Sequence, residues 1–162
     1  MSGRGEGYGR HATAVVFGEC GVLILGPAGS GKSALALALL ARARVSGLFG
    51  ALIGDDRIWL EARNGRLVAR GAPQTAGMIE RRAVGILTAP FESEAVIRLA
   101  AELCPADNLP RFPEGSEGLV IEGLTVPRIQ LSLGQSASDN ALAVEEKVQA
   151  MLQVRRAKAN FA

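Results

Sequence analysis

Aromatic residues make up 4% of the 162-residue chain, leaving few rings on which the bases of single-stranded nucleic acid could stack. Charge is nearly balanced. The formal net charge of +2 is too small to capture nucleic acid or a membrane surface by electrostatics. Cysteine is scarce, and Cys20 and Cys104 have neither the spacing of metal ligands nor that of a disulfide framework. They read as small apolar residues buried in a reducing cytosol. No apolar run approaches the roughly 18 residues of a membrane-spanning helix. The polar, glycine-rich opening MSGRGEGYGR resembles neither a signal peptide nor an anchor. The sequence thus predicts a cytoplasmic protein with no nucleic-acid and no membrane partner. Histidine occurs once, as His11, and spacing alone places it on the surface at the start of a strand.

What is present is ordinary globular composition, 48% hydrophobic and 21% charged, in a length that suits one domain with a real core. Residues 1–10 read as a flexible tail and residues 11–162 as a single domain. TAVVF (13–17) and GVLIL (21–25) are short, β-branched and apolar, hence strands. KSALALALLARAR has no β-branched residue and favours helix, stopped near Gly47. ALIGDD is a strand ending in two carboxylates. Asn64-Gly65 between alternating segments marks a hairpin, and Glu122-Gly123 marks another. The stretch 72–83 reads as loop ahead of a strand at 84–87. EAVIRLAAEL fits helix by spacing and strand by its Val-Ile centre. CPADNLPRFPEG reads as an ordered surface connection. SDNALAVEEKVQAML is an amphipathic helix capped by Ser138 or Asp139, with Ala141, Val144, Val148 and Leu152 inward.

Between the second strand and the first helix lies Gly26-Pro27-Ala28-Gly29-Ser30-Gly31-Lys32-Ser33, a full match to G-x-x-x-x-G-K-[ST] in its proper flanks. Glycines let backbone N–H groups turn inward around phosphate oxygens, and the helix N-terminus adds its positive end. Lys32 is expected on the β- and γ-phosphates and the Ser33 hydroxyl on Mg²⁺. The loop predicts a nucleotide-binding protein. Asp55 and Asp56, at the end of an apolar strand, can divide metal support from proton abstraction, or form a turn. Glu80, Arg81 and Arg82 make a charged cluster whose spacing fits a solvated loop equally well.

Taken in order, these pieces resemble the HPr kinase/phosphorylases in their C-terminal catalytic domain. His11 opens HATAVVFGECGVLILG ahead of the loop, LIGDD is similar to the family's Asp-Asp strand end, and MIERRAVGI resembles its signature, with Glu80, Arg82, Gly85 and Ile86 in register. NLPRFPE places Arg111 where the family has an arginine. The resemblance implies an α/β P-loop domain of the HPr kinase and PEP carboxykinase-like type, with a mixed sheet and a C-terminal helix, in a short form lacking the family's large N-terminal domain. It implies an ATP- and Mg²⁺-dependent serine kinase that phosphorylates an HPr-like phosphocarrier protein and forms homo-oligomers. By the same resemblance Lys32 and Ser33 serve phosphates and Mg²⁺, and Glu80 is a second Mg²⁺ ligand. Asp56 is the base and Asp55 supports the metal, while His11, Arg82 and Arg111 act at the transferring phosphate. The family's late arginine-bearing loop reads LSLGQSA here, where Ser132, Gln135 and Ser136 could hydrogen-bond phosphate but not neutralise it. Weak or absent phosphorolysis is therefore expected. A small-molecule kinase or NTPase would share Lys32 and Ser33, and a nucleotide-sensing module would tolerate loss of Asp56.

Overall fold

Strict alternation between two apolar faces sets the architecture of the central strands, described here from a computed structural model covering residues 9–111 and 118–162. In β1 (Thr13–Phe17) and β2 (Cys20–Leu25), Val15, Phe17, Val22 and Ile24 enter one core while Ala14 and Leu23 enter another. A strand buried on both faces reads as a continuous apolar run, as these two do. Helix α1 (Lys32–Val45) inserts Leu35, Leu39 and Ala43 into the first core. It ends where Gly47 takes a left-handed φ of 67°.

Strand β3 (Gly50–Gly54) pairs antiparallel with β1. The hairpin of β4 (Ile58–Arg63) and β5 (Arg66–Gly71) turns through Asn64 and Gly65 at φ 52° and 72°, the two positive values of a type I′ turn. A small separate hairpin follows, β6 (Met78–Arg81) with β7 (Gly85–Thr88). The 11-residue β8 (Glu94–Cys104) comes next, then β9 (Leu119–Ile121) with β10 (Leu124–Val126), turned at Glu122-Gly123 as expected. Strand β11 (Arg128–Ser132) and the long helix α2 (Ala137–Asn160) complete the chain.

The main sheet has seven strands in the order β3-β1-β2-β8-β5-β4, with β11 also on β8. Strand β8 runs parallel to β2 along one edge. Its other edge is shared, with β5 antiparallel on Glu94–Ile97 and β11 parallel on Ala100–Cys104. The sheet therefore forks at Arg98–Leu99. Helices α1 and α2 cover the first core, and the β4–β5 and β9–β10 hairpins close the second. Among the described residues no helix is long and apolar enough to cross a membrane.

Several expectations are corrected. EAVIRLAAEL is strand, and its helix-like spacing has a local cause. The pairing with β2 shifts register between Gly21 and Val22, so Gly21 faces Ile97 while Val22 faces Leu99; the extra residue, Arg98, breaks the period of two. Residues 78–81, read as loop, form β6, because only Ile79 of that strand is buried and one apolar residue shows no period. The cap of α2 is Ser136, not Ser138 or Asp139. Its Oγ accepts the Asp139 N–H at 3.1 Å and donates to the Asp139 carboxylate at 2.8 Å, a side-chain cap on one of the free N–H groups of the first turn. The expected tail falls mostly on residues 1–8, outside the described residues, but Arg10 exchanges two backbone hydrogen bonds with Ile58. Of the proline-rich connection, Ala106–Asn108 forms a 3-10 turn, and residues 112–117 lie outside the described residues.

Candidate active site

Topology gathers the polar residues at one end of the sheet. Because β1 is antiparallel to both β2 and β3, those two strands point the same way. The loop after β2 and the Asp pair after β3 therefore emerge together, and His11, just ahead of β1, stands at the same end. Strand β11 is parallel to β8 and hence to β2, which delivers the start of α2 there as well. Open α/β sheets bind ligands at this carboxyl edge. A cleft of about 680 Å³ results, lined by His11, Lys32, Ser33, Asp55, Asp56 and the Glu80–Arg82 segment, with Ala137 and Ser138 of α2 on its rim.

The glycine loop has the backbone its sequence requires. Gly29 and Gly31 sit at φ 74° and 96°, values that L side chains rarely adopt. Lys32 is buried and donates to the carbonyls of Gly26 and Pro27 at 3.0 Å each. Burial pushes its ammonium below the ordinary range, and the Asp56 and Asp55 carboxylates offset part of that shift. The Ser30 hydroxyl, buried within the same loop, has no partner among the described residues, so the loop holds a spare polar group.

Asp55 is the hub. Its Oδ1 accepts the hydroxyls of Ser33 and Thr13, both at 2.8 Å, and its Oδ2 accepts the backbone N–H of Glu80 at 3.1 Å. One carboxylate thereby ties together β1, the phosphate loop and β6. Asp56 does something different. It adopts φ 70°, tolerated by Asp better than by most residues, and is held there by His11 Nδ1 at 2.8 Å from its Oδ1. Its side chain is 78% exposed, presenting a carboxylate to whatever enters the cleft. Strained backbone of this kind concentrates at functional sites.

Of the catalytic, phosphate-loop and metal candidates His11, Gly26–Ser33, Asp55, Asp56, Glu80, Arg82 and Arg111, all but Arg111 are either in this cleft or on the loop that walls it. Arg111 occupies an exposed bend beside 112–117 and is not among the residues lining the cleft. Sequence reading missed Thr13, fully buried and bonded to Asp55. Its signal was a hydroxyl two residues after His11 in an otherwise apolar strand. The expected use of Ser132 and Ser136 toward phosphate also changes. Ser132 Oγ accepts the Gly134 N–H at 3.1 Å, and Ser136 is engaged as the helix cap.

Among the described residues no group of three or more His, Cys, Asp or Glu converges as a metal cage. The donors present, the Ser33 hydroxyl and the Asp55 and Glu80 carboxylates, are hard oxygens. They suit magnesium, which takes few protein ligands and completes its shell with phosphate and water.

Fold and site together define an α/β domain of the P-loop type, with paired carboxylates facing the phosphate loop. The family model for the HPr Serine kinase C-terminal domain matches residues 6–160, and the chain belongs to that family. It is 29% identical over 160 residues to the HPr kinase/phosphorylase of Mycoplasma mycoides, covering 91% of this chain and 49% of that protein. With the HPr kinase/phosphorylase of Clostridium beijerinckii it shares 35% identity over 77 residues, 48% of this chain and 24% of that protein. The chain thus spans about half the length, or less, of these curated relatives. The solved HPr(Ser) kinase/phosphatase of Coxiella burnetii superposes with a TM-score of 0.76 at 26% identity, over 91% of this chain and 98% of that one.

Proposed function

We propose that this domain is a cytoplasmic ATP-dependent kinase that phosphorylates a serine of an HPr-like phosphocarrier protein, with Asp56 as the base. The observation that carries this reading is the His11–Asp56 pair at the mouth of a phosphate-loop cleft. A module that only sensed nucleotide would need phosphate and metal ligands but no exposed carboxylate held beyond them.

In this reading the loop amides and Lys32 hold the nucleotide phosphates, Lys32 exchanging its two loop carbonyls for phosphate oxygens. Ser33 and Glu80 would hold magnesium, with Asp55 behind them, and the bound cation would neutralise phosphate charge. The acceptor serine donates its hydroxyl proton to Asp56 as its oxygen attacks the γ-phosphorus in line, while the bond from that phosphorus to the β,γ-bridging oxygen breaks and ADP leaves with the oxygen. His11 orients that carboxylate through Nδ1. Arg82, on the cleft wall, faces the transferring group. The family resemblance gives Arg111 the same duty, but the proposal rests on Lys32 and Arg82 for that charge.

The test is incubation with ATP, Mg²⁺ and an HPr protein, followed by mass spectrometry of the acceptor. One phosphoryl group on a serine is expected. Asp56→Asn should bind ATP within about threefold of wild type by calorimetry yet lose transfer by roughly 10²-fold or more. If the variant loses ATP binding instead, Asp56 is a metal or phosphate ligand and the base lies elsewhere.

A further inference from the structure

At the opposite end of the parallel strands, the fork in the sheet opens a second concavity of about 700 Å³ between β5, β8, β10 and the C-terminal half of α2. Its walls carry Arg66, Arg98, Lys147, Arg155 and Lys158, and among the described residues its lining includes no carboxylate. None of these five cations enters an ion pair among the described residues. Its floor is apolar, with Leu67, Ile97 and Val126 nearly fully buried and Met151 partly so.

The backbone here is arranged around Arg98. The register shift opposite Gly21 makes Arg98 the extra residue of a bulge in β8, and bulges re-aim side chains. The bulge depends on glycine. A Cβ at Gly21 would lie 2.2 Å from the Val96 carbonyl oxygen. On the other edge of β8 neither β5 nor β11 pairs with Arg98. Arg98 of β8 and Arg155 of α2 line the same concavity, so two cations from different elements converge on one region. Like charges brought together without a counterion are destabilising unless an anion joins them.

We propose that this groove is a binding site for a small amphiphilic anion, an apolar body bearing two or more phosphate, sulfonate or carboxylate groups. The floor takes the body and the arginine and lysine walls take the charges. Its volume lies in the range of small-molecule sites. The site is separate from the phosphate-loop cleft, with which it shares no lining residue, and does not depend on the kinase reading.

The probe is bis-ANS, an aromatic disulfonate, titrated by fluorescence with saturating ATP and Mg²⁺ occupying the other cleft. Micromolar binding at one site is expected. Arg98→Gln with Arg155→Gln should weaken it at least tenfold while thermal melting is retained. If Arg98→Gln disturbs the bulge, Lys147→Gln with Arg155→Gln, both on α2, should weaken it similarly. Neutral N-phenyl-1-naphthylamine should bind at least tenfold more weakly, and millimolar inorganic phosphate should displace the probe only in part. Three results would overturn the proposal: binding indifferent to the cation substitutions, equal affinity for the neutral amine, or full displacement by ATP or inorganic phosphate.

Discussion

Asp55 and Asp56 are adjacent in sequence, yet backbone geometry gives them opposite surroundings. Asp55 is consumed by three donors from three elements, whereas Asp56 turns outward at positive φ and, among the described residues, pairs with His11. Thr13→Val keeps shape in a fully buried position and removes one donor from Asp55. We expect a loss of about 1 kcal/mol in stability and a roughly tenfold drop in transfer, measured by urea unfolding and by the HPr assay. Transfer unchanged in that variant would mean that Thr13 only packs. Lys32 offers a test by pH. Burial lowers its pKa in the free protein, and phosphate in the loop would raise it again. ATP affinity should then be full below the free-protein pKa and fall as pH rises through it, before the ordinary value of 10.5 is reached. Calorimetry from neutral pH upward should show this decline, and Lys32→Met should bind weakly with a flat profile. A wild-type affinity constant up to the ordinary lysine range would remove Lys32 as the titrating phosphate ligand.

Helices α1 and α2 are locked by one buried carboxylate. Glu145 is 6% exposed, and Arg42 of α1 reaches its Oε2 through both Nε and Nη2. Removing the arginine leaves a largely buried carboxylate with only the long contacts to Ser46 and Gln149 at 3.5 and 3.4 Å, a defect worth about 3 kcal/mol or more. Arg42→Ala should show that loss in urea unfolding, and Arg42→Met with Glu145→Leu should recover most of it. A cost below about 1 kcal/mol for Arg42→Ala would mean that solvent still reaches Glu145. Nothing in the sequence pairs residues 42 and 145, because a contact across 103 positions has no local period. What local chemistry controls was legible: the two Asn-Gly and Glu-Gly turns, the strand–loop–helix of the phosphate site, and the inward stripe of Ala141, Val144 and Val148. What tertiary pairing controls was not. The fork and bulge in β8 disguised a strand as a possible helix, and β6 has only Ile79 to announce it. At the site, Asp56 was a candidate from its strand end and His11 by resemblance, but their contact at 2.8 Å exists only because β1 runs antiparallel to β3.

Across the whole molecule, chain direction in the sheet decides which segments can take part in phosphate chemistry. The segment after β11 arrives at the cleft because that strand is parallel to β8 and β2, and the start of α2 lines the rim. Return of a phosphoryl group from phosphoserine to inorganic phosphate would require that second anion to be held close to the first. Forked arginine contacts suit such a task, yet LSLGQSA carries none. Its serines are committed elsewhere, Ser132 to the Gly134 N–H and Ser136 to the α2 cap. Each missing charge-assisted contact is worth about 1.5–3 kcal/mol, so on the proposed function phosphorolysis should run at least about tenfold slower than forward transfer from ATP. The measurement is pyrophosphate release from serine-phosphorylated HPr with millimolar phosphate and Mg²⁺, set beside the forward rate with ATP. Gln135→Arg, which places one guanidinium on this loop without touching either serine, should raise release and leave the forward rate within about twofold. Equal rates in the wild-type protein would show that the loop does not govern direction, and the positive charge for the second phosphate would have to come from Arg81 or Arg82 on the opposite wall.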